Sequence, residues 1–138
     1  MSHKAQAIVQ TCIDFRFRKA LNDFIENDLN LHSVDLKTDG GGAKMIVEEG
    51  PIREWIFENY QIAFDLHAVE RVILINHQDC GAYGGSKSFS SLENELESHE
   101  VQLRHAVSVI RAKFPDKQIE AFIALINPEG VVSFKKVV

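Results

Sequence analysis

Residues 72–85 read VILINHQDCGAYGG. Val72, Ile73, Leu74 and Ile75 form an apolar run without polar alternation, the pattern of a parallel strand covered on both faces. The run ends in His77, Asp79 and Cys80, followed by Gly81, Gly84 and Gly85. Two of the best metal-binding side chains, His77 and Cys80, therefore close a buried strand.

Working outward, other segments read as alternating strands and helices. Ala7–Thr11 (AIVQT) is a short strand ending at Cys12. Phe17, Ala20, Leu21, Phe24, Ile25 and Leu29 have helical spacing over 17–29. Ser33–Lys37 is a second strand, broken by Gly40–Gly42. Pro51 suits the first turn of a helix, with an apolar face of Ile52, Trp55, Ile56, Ile62, Ala63 and Leu66. Arg71–Asn76 is the third strand. Leu92, Leu96, Leu103, Ala106, Val107 and Ile110 mark a further helix. Ile119–Ile126 is a fourth strand, and the turn Asn127–Gly130 leads to a closing hairpin strand, Val131–Val137. The expected fold is α/β, with a mainly parallel sheet flanked by helices and a C-terminal hairpin strand. If the strand order begins 2-1-3, the crevice where ligands bind lies between strands one and three. Cys12 would then meet His77 and Cys80.

At 138 residues, with 45% apolar and 25% charged residues, the chain suits a single domain over 1–138. A net charge of -5 without a dense Lys/Arg stripe argues against nucleic-acid binding. No apolar run approaches a membrane span. The N-terminus has no signal-peptide pattern, so a cytoplasmic location is expected.

Cys12, His77 and Cys80 are the ligand types of a zinc site that keeps its fourth position open for water. The alternative is two buried apolar cysteines and an ordinary loop histidine. In "CIDFR", residues 12–16, the Arg16 fork could hold Asp14 bidentately and keep it ionised; otherwise the two form a solvated ion pair at a helix start. Cys12 to Arg18 also spells C-x5-R, the layout of cysteine phosphatases. That loop has no glycine, and Asp14 would repel a phosphate dianion. The glycine clusters match neither G-x-G-x-x-G nor a P-loop and read as backbone turns. Tyr83 is a candidate pocket wall. His99 falls on an apolar stripe, and His32, His67 and His105 fall on surfaces or element ends.

Taken together, Cys12-Ile-Asp14-Phe-Arg16, His77-Gln-Asp-Cys80-Gly81 and the ending IEAFIALINPEGVVSFKKV resemble the β-class carbonic anhydrases. The resemblance covers most of the chain. It implies zinc on Cys12, His77 and Cys80, with water in the fourth position or, in a closed state, Asp14 released from Arg16. It implies reversible hydration of carbon dioxide to bicarbonate, with Asp14 orienting the attacking hydroxide. Gly41 and Gly81 would shape the substrate pocket, and Phe15 and Phe17 would flank the dyad. The partner would be a second copy of the chain, in a homodimer or higher homo-oligomer. The same resemblance admits a carbon disulfide or carbonyl sulfide hydrolase, or a non-catalytic zinc- or bicarbonate-binding homologue. The chain departs from the family where Lys37-Thr38-Asp39-Gly40 replaces the usual Arg-Asn-Ala-Gly, placing a negative charge at Asp39.

Overall fold

A computed structural model describes residues 3–138. Five strands form one sheet: β1 (Ala7–Thr11), β2 (Val34–Thr38), β3 (Arg71–His77), β4 (Gln118–Ile126) and β5 (Val132–Lys136), in the order β2-β1-β3-β4-β5. The first four run parallel, and β5 is antiparallel to β4. The expected α/β architecture and its 2-1-3 beginning are both present. From β1 the chain steps out to β2 and then returns to β3 on the other side of β1. The carboxyl ends of β1 and β3 therefore flank a crevice.

β3 anchors the sheet. Val72, Ile73, Leu74 and Ile75 are all buried, each stabilising the fold by about 1.5–3 kcal/mol relative to exposure. Their side chains alternate between two cores. Val72 and Leu74 join a cluster with Ile56, Tyr60, Leu103 and Ile110, which belong to α3 (Pro51–Leu66) and α4 (Leu92–Lys113). Ile73 and Ile75 join Phe17, Leu21, Phe24 and Phe122 on the other face. Ser91 caps α4 by accepting the Asn94 N–H at 3.1 Å.

The helix expected over 17–29 is shorter and irregular. A single 3-10 turn at Phe15–Phe17 leads into α1 (Arg18–Asp23), which widens into a π turn at Phe24–Asp28. The Leu29 N–H closes that turn on the Phe24 carbonyl at 3.0 Å. A short α2 (Lys44–Val47) follows the Gly40–Gly42 turn and was not apparent from periodicity.

The inward face expected for α3 needs correction. Ile56, Tyr60, Ala63 and Phe64 face the core. Ile52, Trp55, Ile62 and Leu66 are 50–65% exposed. They lie with Asn59 on a flank beside the β2 edge, where Leu36, Asn59, Ile62 and His67 line a shallow cavity. Both sets satisfy helical spacing, so periodicity could not choose between them. Among the described residues no helix is long and apolar enough to cross a membrane.

Candidate metal centre

β1 delivers Cys12 and β3 delivers His77, while Cys80 follows on a tight turn through Asp79, which has a left-handed φ of 59°. The Cys12 and Cys80 sulfurs are 3.9 Å apart. Ligand atoms of Cys12, His77 and Cys80 all lie within 4.8 Å of one another. Two sulfurs about 2.3 Å from a common zinc at the tetrahedral angle would be separated by about 3.8 Å. The sulfur spacing therefore already suits such a centre.

The histidine tautomer also fits. Nδ1 of His77 lies 2.7 Å from the Gln78 carbonyl, which can only accept, so Nδ1 carries the proton. Nε2 is left with its lone pair directed into the cluster, buried and without a hydrogen-bond partner. An orphaned buried acceptor is costly, and a metal would satisfy it. Phe17 packs against this imidazole at a tilt of 34°, centroids 4.4 Å apart, and limits its rotation.

The two thiols divide one proton unequally. Hydrogen bonding from Cys80, then the adjoining His77 ring and the Gly41 amide, holds the Cys12 thiol far below its ordinary value. The thiolate at Cys12, together with burial, pushes the Cys80 thiol up. Gly41 N–H lies 3.4 Å from Cys12 Sγ. Burial alone would lower His77, but the negative charge of the neighbouring Cys12 thiolate and the Gln78 carbonyl on Nδ1 leave it raised. Without a cation this cluster favours one thiolate; a divalent cation would favour two.

Asp14 sits at the mouth, with Oδ2 3.7 Å from His77 Nε2. Its carboxylate accepts Arg16 Nε at 3.1 Å and Nη2 at 2.7 Å. The Arg16 fork holds Asp14 below the ordinary carboxylate range. Asp14 also caps the first 3-10 turn by accepting Arg16 N–H at 2.9 Å, and the Phe17 amide points to the Asp14 carbonyl at 3.4 Å. Those amides turn towards Asp14, so they do not form the anion cradle around Cys12 that a C-x5-R phosphatase needs.

The crevice opens into a cavity of about 900 Å³ lined by Cys12, Ile13, Asp14, Phe15, Arg16 and Asp79, with Gly81, Ala82 and Lys87 opposite. Gly40 and Gly81 are lining glycines, whereas Gly41 is buried behind Cys12. Phe15 is 85% exposed at the rim. Tyr83 packs edge-on to His99, centroids 4.9 Å apart. His99 is buried; His32 and His105 are exposed, and half-buried His67 pairs with Asp35 at 2.7 Å.

Asp39 is neutralised locally. Its carboxylate accepts Lys37 Nζ at 2.8 Å and Gln10 Nε2 at 2.6 Å. Gln10 is fully buried, and its own oxygen accepts the Tyr60 hydroxyl at 2.9 Å. Gly42 approaches so closely that an added Cβ would lie 2.8 Å from both Asn76 Oδ1 and the Ile75 carbonyl. Asn76 Oδ1 in turn accepts the Ala43 amide at 3.0 Å. Gln10 and Asn76 hold the glycine turn against the Cys12–His77–Cys80 cluster. Sequence reasoning did not single them out, although each is a polar residue near the end of an otherwise apolar strand.

A family model described as "Putative carbonic anhydrase" matches residues 2–132. An uncharacterized protein of Rickettsia bellii is 28% identical over 136 residues, covering 94% of this chain and 81% of its own length. Among solved structures, a carbonic anhydrase from Glaciozyma antarctica superposes with a TM-score of 0.62 at 15% identity, over 96% of this chain and 81% of that one. A tetrameric β-carbonic anhydrase from Sordaria macrospora gives 0.55 at 13% identity, over 95% and 81%. At these identities the structural likeness is one of fold.

Proposed function

The chain belongs to this carbonic anhydrase family, and on that premise we propose that it catalyses the zinc-dependent, reversible hydration of carbon dioxide to bicarbonate and a proton. The observation that carries the reading is the Cys12–His77–Cys80 cluster, with its 3.9 Å sulfur spacing and unpartnered His77 Nε2. Zinc held there would supply a Lewis acid and a water acidified to near neutrality. Cys12, Cys80 and His77 Nε2 are the ligands of this reading, and the Nδ1 bond to Gln78 fixes the imidazole for the role.

Asp14, kept ionised by Arg16, is an acceptor at the mouth of the centre and orients the nucleophile. In a closed state it would leave Arg16 and take the fourth ligand position. Ile13, Phe15 and Ala82 give the crevice an apolar wall suited to carbon dioxide, while Lys87 offers positive charge to bicarbonate. Gly41 supports Cys12 from behind through its amide, and Gly81 leaves room beside the centre. We place the enzyme in the cytoplasm, where its two free cysteines would stay reduced and able to bind metal.

The functional unit of this reading is a homodimer or a multiple of it. The exposed flank of Ile52, Trp55, Ile62 and Leu66 is a surface that association would cover. Metal analysis combined with stopped-flow hydration tests the whole proposal. Wild type should carry about one zinc per chain and hydrate carbon dioxide, and Asp14→Ala should keep the zinc while losing activity. Bound zinc without hydration at neutral to mildly alkaline pH would end the enzymatic reading.

A further inference from the structure

Arg16 is held by two carboxylates. Nε and Nη2 reach Asp14. Nη1 donates to Asp79 Oδ2 at 2.9 Å, and Nη2 also reaches the Asp79 carbonyl at 3.0 Å. Asp79 lies between the two candidate ligands of the HQDC turn and has no part in the reaction as derived above.

The Asp79 contacts are themselves braced from the core. The Asp79 N–H donates to Glu95 Oε2 at 2.6 Å, and Asp79 Oδ1 accepts the Ser86 amide at 2.8 Å. Ser86 Oγ donates to the other Glu95 oxygen at 2.7 Å. Glu95 is only 1% exposed on α4, a costly place for a carboxylate. Behind the turn, an added Cβ on Gly85 would lie 3.1 Å from Asp79 Oδ1. A continuous path thus runs from α4 through Glu95 and Asp79 to the Arg16 guanidinium. The bracing of Asp14 is local: besides the guanidinium it accepts the Arg16 N–H at 2.9 Å within its own turn. It begins a single 3-10 turn between the exposed Ile13 and Phe15.

We propose that Asp79, braced by Glu95, is a positioning residue that anchors the Arg16 guanidinium in the crevice independently of Asp14. Arg16 is the fixed member of the dyad and Asp14 the movable one. This deepens the carbonic anhydrase reading and rests on it for its functional meaning. If Asp14 alone held Arg16, each departure of Asp14 would leave the guanidinium of a side chain about one-third exposed without a carboxylate partner and free to leave the crevice. With Asp79 in place the guanidinium keeps a carboxylate partner, so Asp14 leaves at lower cost and returns to the same place.

The test is NMR of Arg16 in the metal-loaded, 15N-arginine-labelled protein, assigned by comparison with Arg16→Lys. Nη–H resonances stay resolved while rotation about Cζ–Nη is blocked by hydrogen bonds. Asn is the substitution for Asp79 because it tolerates left-handed φ and keeps an oxygen for the Ser86 amide. Resolved signals from Arg16 Nη1–H, the group on Asp79 Oδ2, should persist in Asp14→Ala and be lost in Asp14→Ala/Asp79→Asn. Their loss in Asp14→Ala alone, or their survival in the double variant, overturns the proposal. The readout needs no turnover. A protein that shows the expected pattern but hydrates no carbon dioxide refutes the enzymatic reading and leaves the anchor standing.

Discussion

Gly42→Ala should be among the most damaging single-methyl additions available to this chain. Two costs add. At φ +63° an alanine is held in the left-handed region at about 1–2 kcal/mol. The new Cβ would also lie 2.8 Å from Asn76 Oδ1 and from the Ile75 carbonyl. Ile75 is on the central strand, and the Asn76 oxygen is already bound to Ala43, so neither can retreat cheaply. Overpacking of this kind costs about 1–3 kcal/mol. The sum, roughly 2–5 kcal/mol, corresponds to a fall in Tm of about 8–20 °C for a chain of this size. Gly40→Ala is the matched control. Nothing lies within 4 Å of its added Cβ, and its φ is not left-handed. The shorter list of unfolded conformations should leave it neutral or stabilised by up to about 1 kcal/mol. Differential scanning calorimetry of the three proteins, side by side, decides the matter. A Gly42→Ala protein melting with wild type, or equal losses in both variants, would refute the close approach. Because Gly41 donates to Cys12, Gly42→Ala should also weaken metal binding, measured by competition with a chelator.

Asp39→Ala should leave Gln10 Nε2, fully buried, without its 2.6 Å acceptor and cost about 1–3 kcal/mol in urea unfolding; an unchanged midpoint would remove Asp39 from the loop's support. Burial holds His99 below its ordinary value, opposed by Glu95 and reinforced by His77. The unfolded chain therefore binds the extra proton first: this contribution is complete above about pH 6.5 and is lost as pH falls from there through the folded value. His99→Phe, which keeps a ring against Tyr83, should flatten the stability–pH curve in that window, and an unaltered slope would show that His99 does not set it. Trp55 is the chain's one tryptophan and lies on the exposed α3 flank. Its emission should shift to shorter wavelength as concentration rises, and Ile62→Glu should abolish the shift and yield monomers by light scattering. Emission independent of concentration, with Ile62→Glu unchanged in mass, would move the interface elsewhere.

Much of the fold is local pattern and was therefore readable along the chain. The unbroken apolar run of β3 has that form because both its faces are covered. Pro51 and the break at Gly40–Gly42 act through their own backbone preferences. The meeting of Cys12, His77 and Cys80 was legible for a related reason. The carboxyl ends of neighbouring parallel strands meet wherever strand order reverses, so Cys12 at one end and His77 and Cys80 at the other come together. The fate of α3's second apolar stripe was less accessible. Ile52, Trp55, Ile62 and Leu66 keep helical spacing as well as the buried set does. Only the position of the helix over the sheet edge decides which face is covered.

The sequence by itself determined the alternation of strands and helices and the residue types at the crevice, because backbone preference, periodicity and ligand chemistry are properties of residues and their near neighbours. Only the tertiary structure decided how the charges there are paired. Asp39 reads as an unwelcome negative charge until Lys37 and Gln10 are seen to share it. Nothing in the sequence sets Glu95 apart from the other acidic residues of its helix; the fold buries it beneath the Asp79 turn. Asp79 reads as a spacer between two ligands until Arg16 is found on its carboxylate. Such pairings depend on a few ångströms between groups tens of residues apart. Their strength depends on burial, and neither separation nor burial is written in the order of the residues.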